Sequence, residues 1–151
     1  MLRSRVIAAA AVTAAAAGIA VAPTPAGAAT GSLHLYEIYY NSPGSDTGSV
    51  KSLDAEWVKI TNSTSKPVSL TKWTLTDASR HVYTFGSFTL AAGRTVAVHT
   101  GKGTNTSTNR YQGRSWYVWN NDKDTATLRK STGATVDTCS YNTTKFAYRW
   151  C

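Results

Sequence analysis

From residue 33 onward, apolar and polar positions alternate in short runs rather than recurring with a helical period. Val58 and Ile60 face one way, with Trp57 and Lys59 the other. Val96 and Val98 oppose Thr95, Ala97 and His99, and Ala126 and Leu128 oppose Thr125 and Thr127. A period of two places one face on a core and one in water, as in antiparallel sheets. The runs are rich in Val, Ile, Thr, Tyr and Trp, and Gly, Asn, Asp, Ser and Pro separate them. They predict strands at Leu33–Tyr40, Glu56–Asn62, Trp73–Thr76, Val82–Phe85, Thr95–Thr100, Ser115–Val118, Thr125–Arg129 and Thr135–Tyr141. The phase slips between Leu35 and Ile38, the mark of a bulge.

Turn chemistry joins these runs at Asn41-Ser42-Pro43-Gly44, Asn62-Ser63, Ala92-Gly93 and Ser131-Thr132-Gly133. Gly44–Ala55 and Gly101–Gly113 are polar, lack an apolar pattern and are expected as long loops. About eight short strands at this spacing predict an all-β, immunoglobulin-like antiparallel β-sandwich in a single domain. Its core should contain Val58, Ile60, Trp73, Leu75, Phe85, Leu90, Val96, Val98 and Leu128.

The beginning of the chain has a different pattern. Arg3 and Arg5 precede an apolar run from Val6 to Val21, broken by Pro23 and Pro25. Ala26-Gly27-Ala28 then supplies the small residues of a cleavage site. The run is short for a bilayer span, which needs roughly 20 apolar residues, and no basic cluster follows it. Residues 1–28 are therefore expected to be a signal peptide, and residues 29–151 a secreted, extracellular domain without a membrane span. An Ala-rich signal of this kind looks bacterial.

Export changes the meaning of the two cysteines. Cys139 and Cys151 lie near one end of the chain, in a compartment where disulfides persist, and read as one staple on the C-terminal tail. A zinc site is weakly supported, because no His lies nearby. The full chain carries a net charge of +8, unevenly spread. Lys102–Cys151 has eight basic residues against three acidic ones, whereas Ala29–Gly101 has six against five. A basic second half points to anionic partners or serves only solubility.

Motifs for chemistry are few. His34, His81 and His99 lie in separate runs or a turn, without metal-ligand spacing. No G-x-S-x-G elbow occurs, and Gly101-Lys102-Gly103-Thr104 lacks the upstream Gly of a phosphate loop. Asn120, Asp122 and Asp124 resemble the opening of a calcium loop, but Thr125 replaces the required Gly and Ser131 the closing Glu. A turn explains them better. The binding candidate is Arg110-Tyr111-Gln112-Gly113-Arg114-Ser115-Trp116-Tyr117. Arg110 and Arg114 supply charge, and Trp116 and Tyr117 supply faces for stacking on bases or sugar rings. The alternative places Trp116 or Tyr117 in the core and leaves the arginines solvated.

Several pieces form an ordered series. They are Glu37-Ile38-Tyr39-Tyr40-Asn41, Glu56-Trp57-Val58-Lys59-Ile60-Thr61-Asn62 and Val68-Ser69-Leu70-Thr71-Lys72-Trp73-Thr74-Leu75-Thr76-Asp77. Tyr83-Thr84-Phe85, the run from Phe88 to Gly101, the run from Trp119 to Leu128 and Thr132-Gly133-Ala134-Thr135-Val136-Asp137 follow. In this order they resemble the lamin tail domain, an immunoglobulin-like module of nuclear lamins and of exported bacterial proteins. Two features depart from that pattern: Gly86, where the family usually has Pro after the Phe, and the aromatic tail Phe146-Ala147-Tyr148-Arg149-Trp150-Cys151.

The resemblance implies a small non-catalytic interaction module without a cofactor. Its partner is an unknown macromolecule: a protein, an anionic wall polymer or a nucleic acid. The alternative is a minimal secreted hydrolase or nuclease with an unrecognised site.

Overall fold

The computed structural model describes residues 32–151, so the signal peptide expected at 1–28 lies outside the described residues. The elements are β1 (Leu33–Tyr39), α1 (Val50–Asp54), β2 (Trp57–Asn62), β3 (Val68–Ser69), β4 (Thr74–Thr76) and β5 (Val82–Thr84). They continue with β6 (Thr89–Leu90), β7 (Thr95–His99), β8 (Asn109–Tyr111), β9 (Lys123–Arg129), β10 (Thr135–Asn142) and β11 (Tyr148–Trp150). One sheet has the order β11-β1-β2-β7-β8 and the other β10-β9-β4-β5, while β3 and β6 form a small ribbon. The result is an immunoglobulin-like β-sandwich. All pairings are antiparallel except β8 on β7.

The core follows the period-two pattern. Val58, Ile60, Leu75, Phe85, Leu90, Val96, Val98 and Leu128 are buried, as expected. Trp73 is the exception. It lies just before β4, packed against the core at the rim of the sandwich, and stays half-buried. The largest fully buried side chain is instead Trp119. The bulge in β1 falls between Leu35 and Glu37. It lets Leu35 and Ile38 both face the core and pushes Tyr36 outward. Asp137 of β10 accepts the Leu35 N–H at 2.9 Å, which satisfies a donor at the irregularity.

Two expectations from the pattern are corrected. Ser115–Val118 is not a strand, and the strand of that region is β8, inside a stretch expected as loop. The N–H groups of Val118 and Trp119 bond the Glu56 carboxylate instead of a neighbouring strand. Gly44–Ala55, also expected as loop, contains the one-turn helix α1. Ser49 caps it by accepting the Ser52 N–H at 3.3 Å. One turn is too short to show periodicity, and only Leu53 of α1 is buried.

Candidate functional site

Two stretches of this chain mix basic and aromatic residues, and the fold uses them differently. The first is residues 110–117. In β8 the side chains of Asn109 and Tyr111 stand on the outer side of the five-stranded sheet. There the His99 ring stacks on Tyr111 with centroids 4.9 Å apart and meets the Asn109 amide oxygen at 2.9 Å. Arg110 takes the opposite side, and its guanidinium lies 3.9 Å from the Phe88 ring centroid. Its charge also reaches Tyr83, whose hydroxyl pKa burial raises and Arg110 partly lowers. Arg114 donates to the carbonyl of Val82 at 2.9 Å, across to β5.

Trp116 and Tyr117 point elsewhere, toward the approach to α1. The Tyr117 hydroxyl is 2.5 Å from the Ser52 hydroxyl and accepts the Gly48 N–H at 3.3 Å. Trp116 is exposed but lies against Gly48, where a Cβ would sit 2.7 Å from its ring. Gly48 also has a φ of +66°, so both backbone and space require glycine there. The four candidate residues therefore divide into two pairs. Arg110 and Arg114 border β5, and Trp116 and Tyr117 hold down the segment before α1.

The anchor of this segment is Glu56, which is fully buried. Its Oε1 accepts the Val118 N–H at 2.9 Å, the Trp119 N–H at 3.2 Å and the Thr100 hydroxyl. Oε2 is buried without a partner among the described residues, as is the Trp119 indole N–H. Burial pushes the Glu56 carboxyl up to about 7, and the hydrogen bonds from Thr100, Val118 and Trp119 only partly oppose it. Other buried polar residues also serve the backbone. The Asn62 amide donates to the carbonyls of Lys66, Leu90 and Ala91. Asp124 accepts the N–H groups of Ala78, Asn120 and Thr125. That occupation explains the Asn120–Asp124 spacing as a turn.

The second stretch is the tail, residues 146–151. β11 pairs with β1 in register Glu37↔Trp150 and Tyr39↔Tyr148. A disulfide joins Cys151 to Cys139 in β10, with Cα atoms 5.6 Å apart. The Cys151 N–H also bonds the Tyr36 carbonyl at 3.0 Å. The tail thus bridges the two sheets at one corner.

Here the side chains stay outside. Of the seven exposed large apolar residues among the described residues, Tyr36, Phe146, Tyr148 and Trp150 share this corner. Trp150 meets Tyr36 edge-on at 5.3 Å and Tyr148 edge-on at 5.7 Å. Tyr39 lies between Tyr148 and Trp57, stacked at 6.2 Å and 5.4 Å. Lys59 sits 4.1 Å from the Trp57 ring centroid and pairs with Glu37 at 3.0 Å. A row of rings thus crosses β11, β1 and β2, and its one carboxylate is neutralised.

Beside the row, the disulfide-closed loop encloses an open groove of about 570 Å³. Its walls include Ser140, Asn142, Phe146, Arg149 and Trp150. The basic excess of the second half includes Arg110 and Arg114. The tail carried its own signal: Phe146, Tyr148 and Trp150 recur at every second residue, which puts them on one side of an extended chain.

The histidines lie apart. His34 meets the Ser32 carbonyl, and His99 meets the carbonyl of Asp54 and Asn109. His81 pairs with Asp77 at 2.6 Å, and the other Asp77 oxygen accepts the His81 N–H, so this pair closes a turn. No described helix is long and apolar enough to cross a membrane.

The chain matches the lamin tail domain family over residues 26–143. No curated protein matches it. The match covers Glu56, Asn62 and Asp124, whose side chains hold the backbone, and stops short of the aromatic tail.

Proposed function

Because the chain belongs to the lamin tail domain family, a family of non-enzymatic immunoglobulin-like sandwiches, we propose that it works by binding. It acts outside the cell, and its contact surface is the corner built by the tail on β1 and β2. The observation that carries this reading is the gathering of exposed aromatics there, held in place by a cross-sheet disulfide. Contiguous exposed apolar surface on a small domain marks an interaction site. Tyr and Trp suit such sites because one end of the side chain is apolar and the other forms hydrogen bonds. Export is supported by the basic and apolar start of the chain and by the disulfide, which persists in oxidising compartments.

Two measurements test the reading. N-terminal sequencing of protein recovered from the culture medium should begin close to Ala29, and an intact Met1 on membrane-bound product would refute export. The purified protein should adsorb to washed cell envelopes of its host. A protein with both Tyr148→Ala and Trp150→Ala should not. Equal adsorption by the two folded proteins would remove the corner as the contact surface.

A further inference from the structure

The groove at this corner has a chemistry of its own. All its lining residues lie between Cys139 and Cys151 in the chain, so the disulfide closes a ring around it. The ring is fixed to β1 at several points. The Tyr40 and Asn41 N–H groups bond the Ala147 carbonyl at 2.9 and 3.1 Å, and the Tyr40 hydroxyl bonds the Thr143 carbonyl at 3.2 Å. Below, Tyr40 and Tyr141 stack at 3.8 Å and are both buried. The groove is therefore a shaped surface on a firm floor, within the roughly 300–1,000 Å³ usual for ligand sites.

Its walls carry three kinds of group. Phe146 and Trp150 supply exposed ring surface. Ser140, Asn142 and Thr143 supply hydroxyl and amide groups. Arg149 alternates with Trp150 along the edge strand β11, so its guanidinium, which makes no ion pair among the described residues, lies on the other side of that strand, with Lys145 beside Phe146 at 5.4 Å. Among the described residues no carboxylate lines the groove. Rings that meet C–H faces, polar groups that meet hydroxyls, and a fork for a carboxylate are together complementary to an acidic sugar.

We infer that this groove at the sheet edge binds an acidic polysaccharide, stacking one sugar ring on Trp150 and pairing the carboxylate of a neighbouring sugar with Arg149 across the edge strand. The inference rests on the reading of the corner as the contact surface and names its ligand class. A nucleic acid fits less well. A strand of phosphates needs a track of basic groups, and among the described residues the one basic residue lining the groove is Arg149, with Lys145 nearby over Phe146.

The test is affinity electrophoresis of the disulfide-intact protein through gels containing polygalacturonate, hydroxyethylcellulose or single-stranded oligothymidylate. Polygalacturonate should retard the protein most. Trp150→Ala should weaken that binding by about tenfold or more, and Trp150→Phe less. Arg149→Gln should weaken it by about fivefold or more, while the equal charge loss of Lys66→Gln should not. Reduction should abolish binding as the ring opens. Thermal unfolding of each variant separates loss of the site from loss of the fold.

Equal retardation by hydroxyethylcellulose, or binding indifferent to Arg149→Gln, would overturn the acidic sugar. Preference for oligothymidylate would overturn the sugar. Retardation lost on replacing Arg110 and Arg114, but not Trp150 and Arg149, would move the site to the other stretch. No retardation in any gel would overturn the inference, while adsorption to envelopes would still decide whether the corner is the contact surface.

Discussion

Residues 110–117 and residues 146–151 look alike on paper, since each interleaves arginine with Tyr and Trp. Their surroundings separate them. Arg110 covers Phe88, Arg114 ties down Val82, and Tyr117 ties down Gly48 and Ser52, while Trp116 lies against Gly48 with the rest of its ring exposed. In the tail, Tyr148, Arg149 and Trp150 are exposed, and backbone bonds with a disulfide carry the attachment. Side chains that hold a segment in place are already engaged. Side chains on a segment held by its backbone are available. The first stretch should therefore answer mutation with lost stability, and the second with lost binding.

The largest effect should come from Glu56, which anchors the first stretch. Glu56→Ala leaves the Val118 and Trp119 N–H groups buried without acceptors, at about 1–3 kcal/mol each, so a loss of roughly 4 kcal/mol is expected in chemical denaturation. Glu56 also sets a pH dependence. Its folded pKa of about 7 lies above the ordinary 4.5, so folding favours the neutral carboxyl. The stabilising contribution is complete below about 4.5 and is lost as pH rises through about 7, for roughly 3 kcal/mol in all. Glu56→Gln keeps an oxygen for the donors and cannot ionise. Its unfolding free energy should stay flat across that window, and an unchanged slope would assign the pH dependence to another group.

Next comes the link that holds the second stretch. Cys139→Ser with Cys151→Ser opens a ring with a sequence separation of 12 and should cost about 3 kcal/mol in the chain-entropy description. Amide exchange should then rise in β11 and remain slow in β2 and β7. Fast exchange throughout the sandwich would mean that the staple supports the whole fold.

Tyr117→Phe removes one hydroxyl shared by Ser52 and Gly48 and should cost about 1 kcal/mol. The loss should be accompanied by faster exchange in α1. An unchanged melting temperature would make Tyr117 as available as the tail residues and weaken the contrast between the stretches.

The sandwich was legible because Val58/Ile60, Val96/Val98 and Ala126/Leu128 each repeat with the period of a half-buried strand. The bulge was legible as a slip between Leu35 and Ile38. Trp119 was hidden beside a run of Asn and Asp, because its backbone is held by Glu56, distant in sequence, rather than by a neighbouring strand. α1 and β8 were hidden because each is too short to carry a period. The corner was only half legible. The cysteine pair and the tail were visible, but the partner rings Tyr36, Tyr39 and Trp57 join them only through the register of β11 on β1 and β1 on β2. Cross-strand pairing over more than a hundred residues leaves no local trace.

The smallest expected change in stability is at Trp150, and it is the sharpest test of the contrast. Its ring is 54% exposed and touches Tyr36 and Tyr148 by their edges, so little apolar area is lost on truncation. Edge contacts between exposed rings contribute about 0.5 kcal/mol each at the low end of the measured range. The backbone pairing of Trp150 with Glu37 and the neighbouring disulfide are untouched by Trp150→Ala. The unfolding free energy should therefore fall by about 1 kcal/mol or less, with the tail still protected from exchange. A loss of several kcal/mol would show that Trp150 is structural, like Arg110 over Phe88. The two stretches would then differ only in position, and the tail would lose its standing as the part of this sandwich left free to bind.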